Sequence, residues 1–135
     1  MSQHLIDPEL LGVLPFLSGE VSESADGLQA AREKLASLLP PYRPLPGVDR
    51  EERFVPGPPG APDVRLLVYR PIETAGGSLP AVLHMHGGGF CTGSADMGSQ
   101  GHAALAAKHR CVVVSVDYRL TPETRFPGNI DDCWA

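Results

Sequence analysis

"LPAVLHMHGGGFCTGS", residues 79–94, runs an almost wholly apolar stretch straight into three consecutive glycines. Glycine weakens a helix or strand by roughly 0.5–1 kcal/mol relative to alanine. Three of them after an apolar run therefore mark a place where something must approach the main chain more closely than a β-carbon allows. The apolar part, residues 79–86, reads as a strand buried on both faces.

Downstream, "GSQGHAALAAKHR" (98–110) carries helix-forming alanines, and "CVVVSVDY" (111–118) is a second buried strand rich in β-branched residues. The order is strand, glycine loop, helix, strand. Two buried strands joined through a helix are most simply parallel neighbours with a right-handed crossover, so the fold class is α/β. Upstream, "EERFV" (51–55) and "DVRLLVYR" (63–70) flank "PGPPGAP" (56–62) and read as an antiparallel pair joined by a rigid turn.

Nearer the start, Asp7 and Pro8 can cap and open a short helix running to about Leu14, where Pro15 intervenes. A second helix is expected from about Asp26 to Leu39. Leu28, Ala31, Leu35 and Leu38 share its apolar face, and Arg32, Glu33 and Lys34 point elsewhere. "PPYRPLPG" (40–47) then reads as an extended linker. At the other end "PGNIDDCWA" (127–135) opens one more helix, with Asn129 as its cap. No internal repeat is visible. Two parallel strands and half a complement of helices make an unfinished α/β sheet, so the expectation is a truncated chain.

Composition narrows the function classes. The 135 residues carry a net charge of −5 without any run of Lys or Arg, which argues against nucleic acid or an anionic membrane as partner. No apolar stretch approaches the ~20 residues of a membrane span. The first residues lack a basic leader and are broken by Asp7, Pro8 and Pro15, so no signal peptide is expected. Cys91, Cys111 and Cys133 are odd in number and lack metal-ligand spacing, which fits reduced thiols in the cytoplasm.

The glycine loop can be tested against three chemistries. A dinucleotide fingerprint, G-x-G-x-x-G from Gly87, fails at Thr92. A phosphate loop has its spacing in Gly88 and Gly93, but Ser94-Ala95 stand where lysine and a hydroxyl residue belong. The remaining chemistry is an oxyanion hole, in which main-chain N–H groups face the oxygen that becomes negative during acyl transfer. His86-Gly87-Gly88-Gly89-Phe90 has the HGGG form of lipase and esterase oxyanion loops.

That motif, followed by Asp117-Tyr118-Arg119-Leu120-Thr121-Pro122-Glu123, Phe126-Pro127 and Asp131-Asp132, closely resembles the hormone-sensitive lipase family of esterases. The likeness is strong from about residue 50 to 135, with Thr121 in place of a more usual alanine. It implies an α/β-hydrolase fold and a serine carboxylesterase acting on short to medium acyl esters, a small-molecule partner and no cofactor. By position, Gly88 and Gly89 would donate the oxyanion N–H groups, and His86 and Gly87 would shape the loop. Residues 1–47 would form part of a cap over the site, and 48–135 the N-terminal half of the hydrolase core. A homo-oligomer is left open.

One departure matters. No serine lies in G-x-S-x-G: Ser94 follows Gly93 directly, Ser99 lacks the upstream glycine, and Ser78 is followed by Pro80 where glycine belongs. The triad of this fold runs serine, acid, histidine, so all three members are expected beyond Ala135.

Other tempting residues read as structural. His84 and His86 form an H-x-H pair without further zinc ligands, so no metal site is expected. Asp117 would violate the chain order as triad acid. The segment from Asp117 to Glu123 is expected instead to brace the glycine loop through Tyr118 and Arg119. His102 and His109 read as surface or packing residues, and Cys91 lacks an identifiable base. A ligand-binding receptor on the same fold is the alternative to an esterase, and a short structural protein a third reading.

Overall fold

The computed structural model describes residues 6–13, 24–73 and 77–135. A 3-10 helix, Pro8–Val13, stands where the first helix was expected. Leu14 and Pro15, its expected end, lie outside the described residues. Helix α1, Ala25–Leu38, is capped by Ser24, whose hydroxyl accepts from the Gly27 N–H at 3.1 Å.

A four-stranded sheet follows. Strands β1 (Val48–Val55) and β2 (Val64–Pro71) pair antiparallel, with Val48 opposite Pro71 and Val55 opposite Val64. Strand β3 (Ala81–Met85) leads through the glycine loop into helix α2 (Ser99–His109) and strand β4 (Val112–Asp117). β4 pairs parallel with β3 and antiparallel with β2, giving the order β1-β2-β4-β3. The parallel β3–β4 pair and the antiparallel β1–β2 pair both stand as the sequence predicts. Helix α3, Gly128–Trp134, closes the chain.

The two sheet faces are packed differently. On one, Leu67, Tyr69 and Val113 meet Ala103 and Ala106 of α2, all fully buried. Alanine side chains let the helix approach the sheet closely, which gives the alanine-rich segment its purpose. Tyr42 and Leu45 pack on the same cluster, so the proline-rich stretch 40–47 is more than a linker. On the other face Val64, Val116 and Tyr118 form a smaller cluster edged by Leu66, Leu120 and Cys133.

Within the described residues β3 pairs with β4 alone, and Leu83 and Met85 are about half exposed, at 51% and 54%. Two expectations are corrected. The apolar stripe of α1 is only partly covered, Leu38 is exposed, and Arg32 turns inward instead of away. Asn129 does not cap α3. Pro127 occupies the cap position, and Asn129, the second helical residue, is buried with its Oδ1 accepting the Ile130 N–H at 3.0 Å.

Candidate active site

The loop leaving β3 is built on a buried histidine. His86 is 4% exposed and its ring stacks on Tyr118 at 4.2 Å, nearly parallel. Its Nδ1 lies 3.0 Å from the Gly87 carbonyl, which can only accept, so that nitrogen carries the proton. The Tyr118 hydroxyl donates to the His86 carbonyl at 2.6 Å. Burial raises the Tyr118 pKa and so keeps it a donor. Gly93 packs against the same imidazole: a β-carbon there would overlap the His86 ring, and φ is +101°.

The next three residues turn left-handed, with φ of +131° at Gly88, +61° at Gly89 and +63° at Phe90. A β-carbon on Gly88 would overlap the Thr92 carbonyl, whereas one on Gly89 would make only an ordinary contact with the Cys91 sulfur at 3.9 Å. The Gly88 carbonyl is held inward by the N–H groups of Cys91 (3.2 Å) and Thr92 (3.0 Å) and by the Thr92 hydroxyl (3.0 Å). Across a trans peptide, C=O and N–H point in opposite directions. An inward Gly88 carbonyl therefore turns the Gly89 N–H outward. Likewise the Gly87 carbonyl, held by His86, turns the Gly88 N–H away from the imidazole. Neither N–H has an acceptor among the described residues, and both glycines are exposed.

A second loop leaves β4 beside it. Asp117 accepts from the Ala95 N–H at 2.8 Å and from Arg65 at 3.0 Å. Arg65 also meets Asp96 and Glu52. Thr121 donates its N–H (2.9 Å) and hydroxyl (3.2 Å) to the Phe90 carbonyl. Arg119 was expected to brace the glycine loop and does not. It reaches the other way, to the buried Asp132 carboxylate at 2.7–3.1 Å. Burial opposes ionisation of Asp132, but these hydrogen bonds outweigh it and leave its pKa below the ordinary range. Glu123 pairs with Arg32, whose hydrogen bonds draw its pKa down to about 2.

Arg32 is the residue that sequence reasoning missed. From α1 its Nε donates to the Cys91 carbonyl at 2.8 Å and its Nη2 to the Thr121 carbonyl at 2.7 Å. Its sequence neighbours gave no hint, since the partners lie 59 and 89 residues away.

Among the described residues, the serine–histidine hydrogen bond lies in the packed interior. Ser115 is fully buried and donates to the Ala95 carbonyl at 3.0 Å. With its one proton so placed, it accepts from His84 Nδ1 at 3.2 Å. That arrangement cannot activate the hydroxyl for attack. The His84 and His102 rings lie 4.2 Å apart, and burial first lowers both pKa values, with the charge of His86 adding to the shift at His84 and that of His84 to the shift at His102. The Ser99 hydroxyl is occupied by Asp96 and Tyr69. Among the described residues, no hydrogen bond joins Ser94 to a histidine, and no cluster of three or more His, Cys, Asp or Glu could hold a metal.

A family model for the α/β-hydrolase fold matches residues 82–135, from β3 to the last residue. The chain is 42% identical over 112 residues to the carboxylesterase NlhH of Mycobacterium tuberculosis, covering 83% of this chain and 34% of that one. The chain has the α/β-hydrolase fold. It is also 37% identical over 135 residues to the esterase LipI of the same organism, covering 96% and 40% of the two chains. Among solved structures, a bacterial heroin esterase superposes with a TM-score of 0.80 at 31% identity, over 99% of this chain and 42% of that one. An esterase of Pyrobaculum calidifontis gives 0.69 at 34% identity, over 94% and 40%. The chain thus spans between about a third and two-fifths of the length of these two curated relatives.

Proposed function

We propose that this chain supplies the oxyanion-binding part of a serine carboxylesterase acting on short to medium acyl esters, with nucleophile, acid and base outside these 135 residues. The observation that carries the reading is the pair of outward N–H groups at Gly88 and Gly89. They sit on an exposed left-handed loop in which the Gly87, Gly88 and Phe90 carbonyls are held by hydrogen bonds. The relatives named as esterases favour hydrolysis over ligand binding.

In this mechanism the ester carbonyl oxygen enters between the two N–H groups, with a third donor from the residue after the nucleophile. Attack converts that oxygen to an anion, and donors already in place need not reorganise as the charge develops. Losing one such donor typically lowers kcat by about 10²–10³. His86 and Gly87 set the loop's starting direction, and Tyr118 and Thr121 pin its two ends. Residues 1–47 contribute to a cap and 48–135 to the core. The chemistry requires no cofactor, and the three free cysteines favour a cytoplasmic setting.

Labelling with a fluorophosphonate tests this. The 135 residues alone should neither take up label nor hydrolyse aryl esters above background. The full-length protein should be labelled at a serine outside them. Label on Ser94, Ser99 or Ser115 would overturn the assignment.

A further inference from the structure

We infer that Arg32 is a positioning residue for the glycine loop, so that docking of α1 sets the direction of the oxyanion donors. The inference rests on the oxyanion reading and adds to it a control point on the N-terminal helix.

The argument starts from how weakly α1 is otherwise held. None of its residues is buried, and Leu38 at the end of its apolar stripe is exposed. Among the described residues, the side-chain hydrogen bonds that tie it to the core come from one guanidinium, which spans three separate partners. Nη1 and Nη2 grip the two Glu123 oxygens at 2.8 and 2.9 Å, Nη2 also reaches the Thr121 carbonyl, and Nε takes the Cys91 carbonyl.

The Cys91 contact is the one with leverage. The Cys91 carbonyl and the Thr92 N–H belong to one peptide plane, pointing opposite ways. Arg32 holds the carbonyl side at 2.8 Å, and the Thr92 N–H on the other side donates to the Gly88 carbonyl at 3.0 Å. The Gly88 carbonyl in turn shares its plane with the Gly89 N–H. Two rigid planes thus connect the guanidinium to the oxyanion donor. The Thr121 contact acts in parallel, because Thr121 holds the Phe90 carbonyl on the far side of the same loop. Lysine cannot replace this fork. Its single ammonium lacks the planar spread of donors needed to hold three acceptors in fixed directions.

The test uses R32K and E123Q in the full-length protein, with amide exchange at Thr92 and Gly89 read beside steady-state kinetics. R32K keeps a positive charge for Glu123 but loses the fork. It should speed exchange at Thr92 and lower kcat about tenfold, with KM within about twofold. E123Q keeps the Cys91 and Thr121 contacts and should lower kcat less than R32K does. Unchanged Thr92 exchange in R32K would overturn the positioning role. Faster Thr92 exchange with unchanged kcat would instead break the link to catalysis and count against the oxyanion reading itself. Equal losses in R32K and E123Q would show an ion pair anchoring α1, and the peptide-plane argument would fall.

Discussion

Two loops leave the same end of the parallel pair β3–β4, and they are built on opposite rules. The loop after β3 is glycine-rich backbone with three successive left-handed residues, and among the described residues two of its N–H groups have no acceptor. The loop after β4 is dense in side-chain contacts: Asp117, Tyr118, Arg119, Thr121 and Glu123 all hold partners. The difference shows a division of labour. A main chain that must keep donors free cannot stabilise itself with them, so its geometry is imposed by a neighbour rich in side-chain hydrogen bonds. Strain near positive φ persists only where surrounding contacts over-determine it.

The comparison can be broken most severely at the brace. Replacing Arg119 by methionine leaves the Asp132 carboxylate, 2% exposed, with the Arg119 main-chain N–H as its remaining partner in this contact. Removing one member of a buried pair costs about 3–5 kcal/mol, measurable by denaturant unfolding. The pH response should also reverse in sign. In the native protein the Asp132 pKa is lowered, so its contribution is present above the ordinary carboxylate value and is lost as pH falls below it. In R119M burial raises that pKa, so the variant should gain stability as pH falls toward 4. A loss under ~1 kcal/mol would show that the second loop does not depend on this pair.

A smaller change sharpens the comparison at the seam between the loops. Tyr118→Phe keeps the stacking on His86 and removes only the hydroxyl that donates to the His86 carbonyl. It should cost about 1–2 kcal/mol in unfolding free energy. An unaltered stability would mean that ring stacking alone joins the two loops.

What was legible in the sequence was whatever a local pattern encodes. β-branched runs marked β4, the proline-rich turn marked the β1–β2 pair, and consecutive glycines marked the loop whose backbone does something unusual. What was not legible depended on partners far along the chain. Arg32 reads as a polar residue beside an apolar stripe, because its acceptors are 59 and more residues distant. Arg119 was placed in the right segment but aimed the wrong way, since the buried acid that attracts it lies 13 residues later. Phe90 carries no glycine to announce its left-handed backbone.

The most direct test of the central claim follows the two amide protons themselves. In the full-length protein, a boronate or phosphonate adduct on the nucleophile mimics the tetrahedral species and places a negative oxygen in the site. The account predicts that the Gly88 and Gly89 amide protons move strongly downfield on adduct formation. The amide of Thr92, already bonded to the Gly88 carbonyl at 3.0 Å, should barely change. An adduct that left both glycine resonances in place would show that the anion is held elsewhere, and the glycines would be there for packing alone.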